Sequence, residues 1–123
     1  MDFVASTGAS TELQSFKAEF FKALAHPLRI RILEILRTRE RSVQDLQSRL
    51  DLDQSTVSQQ LAVLRAKNIV TARKEGTTVR YTIRDALVGD LLDVARRIFN
   101  NQLAGTQTML RALRQEARRP ARR

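Results

Sequence analysis

Residues 42 to 83 constrain the fold most: SVQDLQSRLDLDQSTVSQQLAVLRAKNIV runs straight into TARKEGTTVRYTI. In the first run Val43, Leu46 and Leu50, then Val57, Leu61 and Leu64, recur at helical spacing on either side of a polar break. The period then changes. IVTAR and TVRYTI are rich in β-branched residues and flank KEGT, where Gly76 can supply the positive φ of a tight turn. Helix, turn, helix and ribbon in that order predict a mainly α fold with a small β-hairpin wing, a winged helix-turn-helix.

The flanking segments are helical by the same reading. Ser10 or Thr11 is expected to cap a first helix carrying Leu13, Phe16, Phe20 and Leu24. Pro27 suits the first turn of a second helix, to which Leu28, Ile30, Ile32, Leu33, Ile35 and Leu36 give a strongly apolar core character. Ser42 can cap a third helix, with Asp45 completing a box-like start, and a fourth runs from Asp53 to about Lys67. Asp85 can cap a long last helix whose apolar band includes Leu87, Val88, Leu91, Leu92, Ile98 and Leu103. Gly105 is expected to kink or end it before a further amphipathic stretch, TMLRALRQEA. The organisation expected is a flexible N-terminus at 1–9, one domain at 10–117, and a disordered basic tail, RRPARR, at 118–123.

Composition narrows the partners. A chain of 123 residues with 42% hydrophobic content can build one core, and its net charge of +9 favours a polyanion. No apolar run approaches the roughly 18 residues of a spanning helix, and MDFVASTGAS lacks the regions of a signal peptide, so a cytoplasmic, nucleoid-associated protein without membrane contact is expected. The absence of cysteine excludes disulfides, thiolate metal sites and thiol nucleophiles. One histidine and four glycines leave no basis for a Ser-His-Asp set or a phosphate-binding Gly loop, so no enzyme and no cofactor is expected.

A helix that enters the major groove needs short polar side chains at its leading end, where the backbone approaches base edges. Gln54, Ser55, Thr56, Ser58 and Gln59 meet that need, with Gln59 the best candidate for reading a base, since Gln can make two hydrogen bonds to adenine. Arg65 and Lys67 toward the far end, and Arg73, Lys74, Thr77 and Arg80 around the wing turn, suit sequence-independent phosphate contacts. Double-stranded DNA is therefore the expected partner. A single S/T/Q-rich helix start is equally ordinary capping, and a charged ribbon is ordinarily just solvated; it is their order and the chain's charge that favour DNA.

With these motifs in view, FKALAHPLRIRILEIL, then VQDLQSRLDLDQSTVSQQLAVLRAKNIV, then KEGTTVRY, the chain resembles the bacterial ArsR/SmtB winged-helix repressors over roughly residues 16 to 103. The resemblance implies a homodimer built from the first and last helices, an operator with dyad symmetry, and repression relieved by an effector. Asp51 stands where members often have Gly in the turn, and Gln60 where they often have His. At the positions of the family's two metal sites this chain has Ser42 and Gln44, and Asp85, Leu87, Ile98 and Asn101, of which only Asp85 is a usual ligand. No metal is expected, and Asp85 and the lone His26 are read as helix caps.

Two half-sites one DNA turn apart require a symmetric dimer, and the apolar band from Leu87 to Leu103 is wider than one small core can cover. The expected dimer face is Leu13, Phe16 and Phe20 with Leu87, Leu91 and Ile98. The reading is a sequence-specific regulator with an unassigned effector. Its alternatives are an architectural protein that coats DNA without sequence preference and a winged-helix protein-interaction module, which salt-dependent binding would separate.

Overall fold

A computed structural model of the chain describes residues 7 to 118. In chain order it holds α1 (Thr7–Leu24), α2 (Pro27–Leu36), β1 (Arg41–Ser42), α3 (Val43–Leu50), α4 (Gln54–Ala66), β2 (Val70–Glu75), β3 (Thr78–Ile83) and α5 (Leu87–Arg118). A first compact unit ends at Gly89 and a second begins at Asp90. Residues 1–6 of the expected flexible N-terminus, and residues 119–123 of the basic tail, lie outside the described residues.

α1 starts at Thr7, so Ser10 and Thr11 lie within it and do not cap it. Extending a formed helix adds one hydrogen bond per residue fixed, and no proline interrupts the upstream residues. α2 begins as its sequence requires, with His26 Nδ1 accepting the Leu28 N–H at 3.1 Å and Pro27 in the first turn. Ile32, Leu33 and Leu36 are buried, whereas Leu28, Ile30 and Ile35 are half-buried.

Each helix of the helix-turn-helix is followed by a left-handed residue. α3 is capped by Ser42, whose Oγ accepts the Asp45 N–H at 3.1 Å. It ends at Asp51 (φ 55°, ψ 50°), where the Leu52 N–H reaches the Gln47 carbonyl at 3.3 Å. α4 ends at Asn68 (φ 60°), with Ile69 N–H bonded to Leu64 O at 2.9 Å and Asn68 N–H to Arg65 O at 3.0 Å. That pair of bonds is a Schellman motif, and its apolar closure is Ile69 with Leu64, both buried. Val43, Leu46 and Leu50 of α3 join Val57, Leu61 and Leu64 of α4 in the core.

The ribbon forms at the expected residues, with Val70 opposite Ile83 and Glu75 opposite Thr78, and Gly76 turning at φ 63°. A third strand was not legible. β1 places Arg41 opposite Tyr81 and Ser42 opposite Arg80, giving the order β1-β3-β2. Two residues carry no alternation to detect. Their pairing also changes the expected capping box: Asp45 turns its carboxylate to Arg41 at 3.1 Å and Arg49 at 3.2 Å instead of returning to the cap. Arg41 is 7% exposed and also donates to Thr38 Oγ1 at 3.1 Å.

Asp85 Oδ1 accepts the Leu87 N–H at 2.9 Å, starting α5. Gly105 neither ends α5 nor separates TMLRALRQEA from it, because the helix is continuous to Arg118. An interior Gly costs only about 1 kcal/mol relative to Ala, less than a long helix loses by breaking. No helix among the described residues is long and apolar enough to cross a membrane.

Candidate nucleic-acid interface

Burying Val57, Leu61 and Leu64 decides which side of α4 faces out. At 100° per residue the opposite ridge is Ser55, Gln59, Ala62 and Ala66, all exposed. Two polar residues lead and two alanines follow, so a flat partner can approach the whole ridge closely. Gln54 is exposed at the helix start; Thr56 and Ser58 are half-buried on opposite flanks of the ridge. Ser55 Oγ donates to Asp53 Oδ2 at 2.9 Å, which leaves its lone pairs to accept. The Thr56 and Ser55 hydroxyls hold the Asp53 carboxyl below its ordinary range, so the residue before the helix is anionic at neutral pH.

The wing separates its cations onto two faces. Residues opposite one another in the ladder share a side, and sides alternate along a strand. Arg73, Glu75, Thr78 and Arg80 therefore occupy one face, and Lys74, Val79, Ala72 and Tyr81 the other. On the first face Arg73 is held by Glu40 at 2.6 Å and Glu75 at 2.8 Å, and Arg80 lies 3.7 Å from Glu75. These contacts raise the Arg73 guanidinium further above its ordinary value and lower the Glu75 carboxyl. Their charges largely cancel. Lys74 and Arg65 have no acidic partner among the described residues, and Thr77 is exposed at the turn. Lys67 at the end of α4 lies 3.6 Å from Glu19 of α1. Six cationic and polar candidates read from the sequence thus divide into two unneutralised cations, three partnered ones and a tip hydroxyl.

Sequence reasoning missed two features. Tyr81 faces α4 across an open hollow of about 450 Å³ that it lines together with Ser58, Ala62, Arg65 and Ala66. The alternation in TVRYTI, which aligns Val79, Tyr81 and Ile83, was the available signal. The second is Gln60, which faces α2 and meets Arg29. Among the candidate interface apolars, Leu13, Phe16, Leu87 and Ile98 are exposed, at 55%, 77%, 67% and 50%, while Phe20 and Leu91 are half-buried. No group of three or more metal-ligating side chains occurs among the described residues.

The sequence profile of bacterial regulatory proteins of the arsR family matches residues 26–72. The HTH-type transcriptional regulator Rv0081 of Mycobacterium tuberculosis is 46% identical over 106 residues, covering 85% of this chain and 93% of that protein. The chain belongs to the arsR family of bacterial regulatory proteins. It is a winged-helix, DNA-binding regulator of transcription and not an enzyme, which agrees with the reading from residues 42 to 83. The crystal structure of Rv0081 superposes with a TM-score of 0.71 at 47% identity, covering 76% of this chain and 95% of that one. A homodimeric winged helix-turn-helix DNA-binding domain from Mycobacterium bovis, Mb0332, gives 0.70 at 30% identity, covering 76% and 87%. The transcriptional activator HlyU of Vibrio cholerae is 42% identical over 78 residues, 63% of this chain and 72% of its own.

Proposed function

We propose that this family member is a homodimer that reads a twofold-symmetric operator through Gln54, Ser55, Thr56, Ser58 and Gln59, with Arg65, Lys67, Arg73, Lys74, Thr77 and Arg80 near the phosphates. The observation that carries the reading is the exposed ridge of α4, polar at its leading end and small behind, beside a wing face bearing Lys74. Lys74 and Arg65 supply most of the phosphate attraction; Arg73 and Arg80 contribute less because Glu40 and Glu75 already neutralise them.

The dimer uses Leu13, Phe16 and Phe20 of α1 with Leu87, Leu91 and Ile98 of α5. Large exposed apolar side chains on two helices support this, as does the homodimer formed by Mb0332. Regulation is independent of metal: Ser42 and Asp85, at the family's ligand positions, serve as helix caps. The protein acts at the nucleoid in the cytoplasm. Repression is the proposed direction, because a dimer seated across a promoter excludes polymerase by occupancy alone.

The test is selection of bound duplexes from a random pool at about 150 mM salt, where purely electrostatic binding is weakened. Enrichment of a motif with twofold symmetry is expected. Salt-sensitive binding without enrichment would replace this reading with an architectural protein, and no binding would leave the fold serving protein contacts. A reporter driven by the selected site then gives the sign, and HlyU, named as an activator, marks the contrary result.

A further inference from the structure

A polar contact that joins the reading helix to α2 is made by a residue next to the reading face. Gln60 follows Gln59 in the chain but lies on the flank of α4 that meets α2, where its Oε1 accepts the Arg29 Nε–H at 2.9 Å. Arginine has no acceptor, so the amide is oriented: its oxygen must face Arg29. The same guanidinium donates through Nη1 to the Ala23 carbonyl at 3.1 Å.

That second contact falls on a helix end. Ala23 is in the last turn of α1, where carbonyls have no partner within the helix, and it is 3% exposed. A cation there also meets the negative end of the helix dipole. Arg29 therefore satisfies a buried carbonyl of α1 with one nitrogen and holds α4 with another, while α2, which carries it, packs against both helices. Both bonds are charge-assisted, and the fork geometry that makes them simultaneous belongs to arginine and not to lysine.

A weaker contact reaches the same helix. Lys67 at the end of α4 lies 3.6 Å from Glu19, four residues before Ala23 and on the same side of α1. That pair is exposed and contributes little by itself. Phe16, three residues before Glu19 and also on this side, is 77% exposed, so the side of α1 that receives Arg29 of α2 and Lys67 of α4 continues into the apolar surface assigned above to the dimer.

We infer that Arg29 and Gln60 form a polar strut that fixes the recognition helix relative to α1, making both of them positioning residues for sequence reading. The strut touches no base. It sets the pitch at which Ser55 and Gln59 are presented, and because it ends on α1, the packing of α1 in a dimer is transmitted to the ridge. In this chain Gln60 supplies that link with a neutral amide, which holds from acid to alkaline pH without a change of charge. The inference rests on the DNA-reading function proposed above.

The experiment measures Kd for the selected operator and for a scrambled duplex of the same length, at about 150 mM salt, for the full chain and for Gln60→Met, Gln60→Glu, Arg29→Met and the double Met variant. Gln60→Met keeps the size of the side chain and removes the acceptor; the operator-to-scrambled preference is expected to fall about tenfold, with scrambled-duplex affinity changed less than about twofold. Gln60→Glu keeps an acceptor for Arg29 and should retain the preference while weakening binding to both duplexes alike. The double Met variant should be no worse than Arg29→Met alone, since that single already breaks the contact with Gln60. Should Arg29→Met fail to fold, the two Gln60 variants decide alone. Preference retained in Gln60→Met, or lost equally in Gln60→Glu, would overturn the strut. A wild-type protein with no preference between the duplexes would overturn the DNA-reading function and the strut with it.

Discussion

Asp51 offers a test of the helix-turn-helix that touches the backbone alone. It closes α3 at φ 55° and ψ 50°, it is exposed, and its side chain makes no hydrogen bond or ion pair among the described residues. A left-handed conformation costs an ordinary L-residue about 1–2 kcal/mol, and Asp somewhat less. Asp51→Gly removes that cost but restores about 0.5–1 kcal/mol of unfolded-chain entropy, so the net gain should lie between zero and about 1 kcal/mol. Asp51→Val, β-branched and without a polar tip, should lose about 1–2 kcal/mol. For a domain of this length 1 kcal/mol corresponds to about 4 °C in the unfolding midpoint. Thermal unfolding followed by circular dichroism, at one fixed protein concentration because a dimer's midpoint depends on it, is the assay. Gly is expected to match or exceed the wild type, and Val to melt about 4–8 °C lower. A Gly variant melting well below the wild type, or a Val variant equal to it, would show that the turn is not held in the left-handed region, and the account of how α3 hands over to α4 would fail.

Further outcomes follow from the interface. Gln59→Ala should weaken binding to the selected operator by about 1–3 kcal/mol and leave scrambled DNA almost unaffected; equal weakening on both would remove Gln59 from base reading. Lys74→Gln should reduce the slope of log K against log salt by about one charge, whereas Arg73→Gln should change it less, because Glu40 and Glu75 neutralise Arg73; equal slopes would show that the ion pairs open on DNA. Charged substitutions at Leu91 and Ile98 together should give monomers by sedimentation, and a double variant that stays dimeric would move the interface elsewhere.

The reading of site residues divides along the same physical line. Ser55 and Gln59 could be placed outward from the sequence because the buried positions Val57, Leu61 and Leu64 leave only one opposite ridge on a helix. Arg73 and Lys74 could not be told apart, although adjacent and both cationic. Which of them keeps its charge for a partner depends on Glu40, which is 33 positions from Arg73 in the chain and 2.6 Å away in space.

By itself the sequence determined the elements: helical spacing in α2, α3 and α4, β-branched runs around Gly76, and caps at His26, Ser42 and Asp85 all act within a few residues and so are written locally. Asn68 in its left-handed turn was also local, yet it went unread because its signal is a single residue type. Only the tertiary structure decided the two-residue strand β1, the ion pair of Glu40 with Arg73 on the wing, and the junction of Arg29 with Gln60. Each joins segments distant in sequence, and no periodicity records which distant side chains meet when an apolar core closes.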